Sequence, residues 1–325
     1  MAEAVKADSA SIERAAGILR SGGIVAFPTE TVYGLGADAL NPVACARIFE
    51  AKNRPSFDPL IVHLADRDRL EDLVKFVPSR ARVLIERFWP GPLTLVFDKK
   101  NSIPDIVTAG LPTVAVRMPA HPVAIELIAR TGRPIAAPSA NPFGYISPTR
   151  AAHVAAQLGD AVDLILDGGE CAVGVESTIL RIEGDRAFLL RPGGLALEEI
   201  ETLVGRIEDA SGPRAQPAAP GQSASHYSPR TPVRIVKEAA AAGPLIGNEG
   251  LLSFRGAPDS AVFARVETLS PGGDLREAAA RLFSCLHELD SSGLRVIFAE
   301  EVPEEGLGRA IMNRLRRAES SSINR

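Results

Sequence analysis

The sequence has few cysteines and no cysteine pair at metal-ligating spacing. Its 325 residues include Cys45, Cys171 and Cys285, an odd number spread widely along the chain. Without a Cys-x-x-Cys pair, this usage argues against a disulfide framework and against a structural zinc site. We therefore expect a reducing compartment, the cytoplasm, for this protein.

Long apolar runs and an excess of one charge are also absent. No apolar stretch approaches the roughly 20 residues that a membrane-spanning helix needs, and no basic segment leads into an apolar core at the start of the chain. The 36 basic and 40 acidic residues give a net charge of −4. We expect no membrane association and no general attraction to nucleic acid, so any site for a polyanion must be local.

Several catalytic motifs are missing as well. The chain contains no Gly-x-x-x-x-Gly-Lys phosphate loop, no His-Glu-x-x-His, no Gly-x-Ser-x-Gly and no cysteine with an evident histidine partner. These absences argue against a covalent enzyme intermediate. The remaining chemistry is positioning and charge neutralisation.

Polar side chains follow the ends of several apolar runs, where proline stops a predicted strand. Lys52 and Arg54 lie between a predicted helix and the apolar strand Leu60–Leu64. Alone, a Lys-x-Arg pair is usually solvated and a Ser-x-Asn pair is usually a turn. If the strand ends share one edge of a sheet, three cations, several hydroxyls and an amide meet there and predict a polyanion site: Thr29, Thr31, Lys52, Arg54, Arg117, Ser139 and Asn141.

The pattern of the chain predicts two folded parts joined by a linker. Residues 1–209 alternate between β-rich runs and helical periodicity, which predicts an α/β (α+β) domain with a mixed, curved sheet. Residues 210–232 are rich in proline and serine and predict a linker. Residues 233–325 predict a small α/β domain with a parallel sheet. Its last helix carries Arg314, Arg316 and Arg317, which we interpret as a solvated face.

Eight strands are predicted in the first part, and the last two form a hairpin at residues 183–185. They are Ile24–Phe27, Leu60–Leu64, Leu93–Phe97, Thr113–Arg117, Ile135–Ala137, Leu164–Leu166, Thr178–Ile182 and Ala187–Leu190.

Six motifs in order resemble those of the YrdC-like L-threonylcarbamoyladenylate synthases. They are Pro28-Thr-Glu-Thr-Val-Tyr-Gly-Leu-Gly36, Lys52-x-Arg54-Pro, Trp89-Pro-Gly-Pro-Leu-Thr94, Arg117-Met-Pro119, Ser139-x-Asn141 and Glu176-Ser-Thr-Ile179. Past the linker motif His226-Tyr227-x-Pro, the chain resembles the two-domain form of the family. The resemblance implies a YrdC-like twisted mixed sheet with a concave active face, followed by a small Rossmann-like α/β domain.

The resemblance also implies a reaction. L-Threonine, bicarbonate or carbon dioxide, and ATP with Mg²⁺ give threonylcarbamoyl-AMP and pyrophosphate, which a downstream tRNA threonylcarbamoyl transferase uses to modify tRNA. Carried over by motif, the catalytic pair is Lys52 and Arg54. The expected L-threonine contacts are Thr29, Thr31, His63, Arg117 and Ser177. The expected ATP contacts are Lys52, Arg54, Ser56, Thr113, Ser139, Asn141, Ser147, Arg191 and Tyr227, and the linker is expected to act as a lid over the site.

Two positions depart from the family pattern, and two other functions compete. Asp58 stands where asparagine is common, and its charge would repel phosphate unless a cation compensates; Ala137 replaces a common hydroxyl residue. His63 alone also fits a core histidine. One alternative is an RNA-binding module that uses the concave basic face, with weak tRNA contact. The other is a carbamoyl-transfer domain of hydrogenase maturation, which the scattered cysteines argue against.

Overall fold

The computed structural model describes residues 4–212, 227–243, 245–256 and 262–323. Most of the predicted linker, including His226, lies outside the described residues. Within the described ranges, none of the helices combines the length and the apolar character needed to cross a membrane.

An eleven-stranded mixed sheet organises the first part, in the order β1-β8-β2-β3-β7-β4-β6-β5-β9-β10-β11. Its strands are β1 (Ala4–Lys6), β2 (Val25–Phe27), β3 (Gly34–Asp38), β4 (Ile61–His63), β5 (Leu93–Asp98), β6 (Thr113–Arg117), β7 (Ile135–Ala136), β8 (Leu164–Asp167), β9 (Thr178–Glu183), β10 (Arg186–Arg191) and β11 (Ile207–Asp209). Its helices are α1 (Ser9–Arg20), α2 (Pro42–Lys52), α3 (Ser79–Phe88), α4 (Asp105–Thr108), α5 (Pro122–Thr131), α6 (Ala151–Leu158) and α7 (Leu197–Val204).

The second part has a four-stranded sheet in which every strand pair is parallel, in the order β12-β15-β13-β14. Its elements are β12 (Val233–Val236), β13 (Glu249–Ser253), β14 (Arg265–Thr268), α8 (Leu275–Asp290), β15 (Val296–Glu300) and α9 (Gly308–Ile323). The predicted fold class is confirmed, as is the parallel character of the second sheet.

Strand register explains where the first sheet carries polar side chains. β4 and β6 are parallel, with Ile61 opposite Ala115 and His63 opposite Arg117. Because side chains alternate along a strand, these four share one face, while Val62 lies on the other face, in the main apolar core. His63 and Arg117 therefore stand side by side where their strands end.

The two parts share an apolar core. Val32, Ile146, Val175 and Tyr227 pack in one cluster with residues of α8 and α9, including Phe283. Loops of the first part are thereby held against helices of the second. This packing places the second part beside the strand ends that carry the polar residues.

Strand β3 was missed because Gly34-Leu-Gly-Ala-Asp38 has no β-branched residue. All five of its residues are buried, and a Cβ at Gly36 would lie 2.7 Å from the Phe27 ring and 2.8 Å from Ile135. Close packing thus overrides propensity here. β1 and β11, at the two edges of this sheet, were also missed, because each has a single β-branched residue among three.

The interpretation of the last basic helix as a solvated face is wrong for two of its three arginines. Arg314 has an exposed fraction of 0% and Arg317 of 7%, whereas Arg316 is exposed and ion-paired with Glu304. A 3.6-residue period cannot show that a neighbouring domain covers the basic side of a helix.

Candidate active site

A cavity lies over the strand ends, and nine of the predicted site residues line it. These nine are Thr29, Thr31, Arg54, His63, Arg117, Ser139, Ser177, Arg191 and Tyr227. The other lining residues are Val32, Gly34, Ile61, Ala137, Pro138 and Glu176. Residues far apart in sequence therefore converge on one concave, largely buried surface.

One wall of the cavity is a hydroxyl and guanidinium cluster. The Thr29 hydroxyl accepts from the backbone N–H groups of Thr31 and Val32 in the turn after β2, and it lies 2.8 Å from the Thr31 hydroxyl. Arg117 Nη1 donates to Thr31 Oγ1 at 2.9 Å, and Nη2 lies 2.5 Å from Glu30 Oε1. Glu30 thus neutralises Arg117, a role that sequence reasoning left out of the site.

His63 faces the same cluster. Its Nδ1 lies 3.2 Å from the carbonyl oxygen of Ile61, and the ring packs edge-on against Phe27. Burial and the charge of Arg117 lower the pKa of His63 to about 3. The ring is therefore neutral at pH 7, and it can contribute shape and a hydrogen bond but no positive charge.

Lys52 is buried behind the cavity wall and does not line it. Its Nζ donates to the carbonyl oxygen of Ser139 at 2.5 Å and also to that of Asn141. Burial, followed by the nearby Arg54, lowers the pKa of Lys52 well below 10.5. This ammonium fixes the Ser139–Asn141 loop, a structural task that the Lys-x-Arg motif does not reveal.

Arg54 lines the cavity, and its charge is paired with Asp58. Nη2 lies 2.9 Å from Asp58 Oδ2 and donates to the Pro59 carbonyl oxygen at 2.8 Å, while Nε donates to the Asp58 carbonyl oxygen. Burial raises the pKa of Asp58, although Arg54 opposes this shift. Arg54 is therefore the cation that offsets the negative charge of Asp58, where the family commonly has asparagine.

Ser177 and Arg191 also line the cavity. Arg191 Nη2 donates to the Ser177 carbonyl oxygen at 2.9 Å and to its hydroxyl at 3.2 Å. The same hydroxyl lies 2.7 Å from Thr94 Oγ1. β10 thus supplies a third buried guanidinium, after Arg54 and Arg117, and the residue before β9 supplies a hydroxyl.

Glu176 and Arg314 are site residues that sequence reasoning missed. Glu176 lines the cavity; its Oε1 accepts from the Ser147 hydroxyl, and its Oε2 accepts from Arg314 at 2.9 and 3.0 Å. The quoted Glu176-Ser-Thr motif was a signal for the first. No local pattern could indicate Arg314, because it lies 138 residues from Glu176 in the sequence.

Besides Lys52, four predicted ATP contacts do not line the cavity. Ser147 is buried behind it on Glu176, and the Asn141 amide donates to the carbonyl oxygens of Pro142 and Tyr145. Ser56 is exposed in the turn after α2. Thr113 begins β6, four residues and roughly 13 Å from Arg117 at the end of that strand. Neither of the last two reaches the lining surface, and their contact with ATP stays a prediction.

Cysteine chemistry and a protein-built metal cage find no support. All three cysteines are free and buried, and burial raises the pKa of Cys285 to about 11 and of Cys45 to about 12. Over the described ranges, no group of three or more His, Cys, Asp or Glu side chains is placed to hold a metal ion.

Two family models match this chain, one over each of its two parts. A family model described as "Telomere recombination" (Sua5/YciO/YrdC) matches residues 17–193, and one described as "Threonylcarbamoyl-AMP synthase, C-terminal domain" matches residues 195–320. The chain is 47% identical to the threonylcarbamoyl-AMP synthase of Pyrococcus abyssi, over 96% of this chain and 95% of the relative. It is 43% identical to that of Bacillus subtilis, over 97% and 94%.

The fold of this chain is also similar to that of a solved structure. The crystal structure of P. abyssi Sua5 complexed with L-threonine has a TM-score of 0.91 and 44% identity, and the match covers 99% of this chain and 97% of that one. The C-terminal match also argues against the hydrogenase-maturation alternative. The chain belongs to the Sua5/YciO/YrdC family, in the two-domain form that carries the threonylcarbamoyl-AMP synthase C-terminal domain.

Proposed function

We propose that this chain forms threonylcarbamoyl-AMP and pyrophosphate from L-threonine, bicarbonate or carbon dioxide, and ATP, for tRNA modification. The observation that carries the proposal is the cavity itself, in which Arg54, Arg117 and Arg191 face a ring of hydroxyl groups. Fixed donors in a buried site stabilise developing negative charge without reorganising. Nucleotidyl transfer by positioning and charge neutralisation needs that environment.

The amino acid is assigned to the Arg117 side. Its carboxylate would share the Arg117 guanidinium with Glu30, and its hydroxyl would meet the Thr29, Thr31 and Ser177 hydroxyl groups; His63 closes this end as a neutral ring. The structure of the P. abyssi relative contains L-threonine, which supports an amino-acid pocket in this fold. The deprotonated amine can add to carbon dioxide and release a proton to water, and the resulting carbamate oxygen can attack the α-phosphorus and displace pyrophosphate.

The phosphates are assigned to the second side of the cavity. Arg54 and Arg191 line it with Ser139 and Tyr227, and Arg54 offers a planar fork for phosphate oxygens. Lys52 has three N–H donors, and two of them bind carbonyl oxygens. Lys52 lies behind this wall, so we propose that its charge acts on the leaving phosphates through the Ser139–Asn141 loop that it holds. Asn141 and Ser147 support this wall from behind.

Mg²⁺ enters with ATP as part of the nucleotide substrate. Glu176 is the one carboxylate among the described lining residues, and it is engaged by Ser147 and Arg314. Mg²⁺ usually keeps several waters and binds substrate phosphates with few protein ligands, which fits this site.

We propose the domain division 1–209, 210–232 and 233–325. β11 pairs with β10, so the first sheet runs to Asp209, and the second begins at Val233. The linker is proposed as a lid, because Tyr227 at its end already lines the cavity. Closure would protect an anhydride that water hydrolyses.

The product implies a downstream tRNA threonylcarbamoyl transferase and a cytoplasmic setting. An RNA-binding role for the concave face is less well supported, because its cations are buried and paired rather than displayed. Weak tRNA contact would appear as salt-dependent binding.

The test is incubation of the full chain with ATP, L-threonine and bicarbonate. Pyrophosphate release should require all three, and mass spectrometry should detect the adenylate. Pyrophosphate release that does not depend on threonine would disprove the assignment.

A further inference from the structure

Arg314 extends from the second part of the chain into the wall of the candidate site. It lies on α9 with an exposed fraction of 0%, among the largest fully buried side chains of the described residues. Its Nε and Nη2 donate to Glu176 Oε2 at 3.0 and 2.9 Å, and Nη1 donates to the Pro192 carbonyl oxygen at 2.5 Å. One guanidinium thus joins α9 to two segments of the first part.

The same guanidinium holds an aromatic residue of the cavity. Its Cζ lies 5.0 Å from the ring centroid of Tyr227, and that ring also stacks on Phe283 of α8, at 5.8 Å between centroids. Tyr227 has a left-handed backbone (φ 63°), which a tyrosine adopts only when surrounding contacts enforce it. α8 and α9 together hold Tyr227, near the C-terminal end of the predicted linker, in place.

Arg314 also sets the charge state of Glu176. Burial alone would raise the pKa of Glu176, but Arg314 and then Arg191 outweigh burial, and the pKa is lowered. As an ionised group, Glu176 accepts from the Ser147 hydroxyl on the loop after Asn141. Its neighbour Ser177 contacts Arg191 and Thr94. The geometry of Glu176, and through the chain that of Ser177, therefore depends on one arginine that lies outside the cavity lining.

We propose that Arg314 is a positioning residue for adenylate formation, through which the C-terminal domain fixes Glu176 and Tyr227 against the substrates. The inference rests on the proposed function. It extends that function, because it gives the C-terminal domain, whose Arg314 and Phe283 contact Tyr227, a role in positioning the site. A planar fork is required, since the contacts combine two hydrogen bonds to one carboxylate oxygen with a stacked ring. Lysine can replace the charge but neither of these features.

The experiment compares Arg314→Met and Arg314→Lys with Arg316→Met in the full chain. Arg316 is the matched control, because it lies two residues away on α9 and its described contact is an exposed ion pair with Glu304. kcat and the KM values for ATP and threonine are measured well below each melting temperature, and kcat is divided by the folded fraction. Intact adenylate is counted against pyrophosphate.

Small misplacements of reacting groups cost up to about 100-fold in rate, so kcat per folded molecule should fall roughly 10–100-fold in Arg314→Met and at least about tenfold in Arg314→Lys. The yield of intact adenylate per pyrophosphate should fall as well, while Arg316→Met behaves as the wild type. Wild-type kcat per folded molecule in Arg314→Lys, or in a folded Arg314→Met, would overturn the inference and leave the proposed function intact. A wild-type chain that makes no adenylate would overturn both.

Discussion

Replacement of Lys52 by methionine tests the finding that this residue supports the site from within the fold. Methionine keeps an unbranched apolar stem and removes the ammonium. Two hydrogen bonds are lost, and the carbonyl oxygens of Ser139 and Asn141 lose a buried donor. Substitution should therefore affect stability as well as catalysis, although the Lys-x-Arg motif alone predicts little loss of fold.

The expected loss in the free energy of unfolding is the difference between two opposing contributions. Hydrogen bonds to a charged group contribute about 1.5–3 kcal/mol each, so two contribute roughly 3–6 kcal/mol. Relief from burying the ammonium offsets part of this, as the lowered pKa of Lys52 shows. We expect a net loss of about 2–4 kcal/mol in the free energy of unfolding. At about 2–4 °C per kcal/mol, the melting temperature should fall by roughly 5–15 °C.

The assay is calorimetric melting of the full chain, paired with pyrophosphate release at saturating ATP. Lys100→Met is the control, because Lys100 is exposed and donates to a single carbonyl oxygen, that of Glu71, among the described contacts. Lys52→Met should lower both the melting temperature and the rate, and Lys100→Met should change neither by much. A melting temperature equal to that of the control would refute the supporting role of Lys52.

Three further predictions follow from the site and the domain interface. Asp58→Asn should release Arg54 for phosphate and lower the KM for ATP roughly 2–10-fold in steady-state kinetics; a higher KM would contradict the pairing argument. Threonine should exceed valine by more than about 100-fold in kcat/KM, with serine between them, because valine leaves the site's hydroxyl groups unpaired; equal turnover would disprove hydroxyl recognition. The stacked rings of His153 and His287 join α6 to α8, and burial lowers the pKa of His153 to about 3 and of His287 to about 4, from about 6.5 when unfolded. The unfolded chain then binds more protons below pH 6.5, so the melting temperature should fall between pH 6.5 and 4, and less steeply in His153→Gln with His287→Gln.

Sequence patterns located strands well where β-branched residues were concentrated. The prediction Thr113–Arg117 has the observed bounds of β6, and the prediction Ile24–Phe27 begins one residue before β2. The prediction that polar residues would gather at the strand ends holds for Thr29, Thr31 and Arg117, because proline stops each strand at the same edge. The strand positions and the polar residues at the strand ends could both be predicted, because both depend on local composition.

The sequence could not show how those side chains are paired. Nothing in the Lys-x-Arg motif distinguishes an ammonium that donates to a loop from a guanidinium that faces the cavity. The contact of Arg314 with Glu176 depends on the packing of α9 against the first part, which no local pattern encodes. Long-range packing decided each case in which a site residue was missed or misplaced.

The central claim is that this cavity joins a carbamate oxygen to the α-phosphorus of ATP. The direct test is a ³¹P NMR spectrum recorded during turnover with ¹³C-bicarbonate, ATP and L-threonine. The new bond puts the labelled carbon two bonds from phosphorus, so we expect an adenylate ³¹P signal that is split by ¹³C and that disappears without threonine. An unsplit signal, or release of only ADP and phosphate, would contradict it.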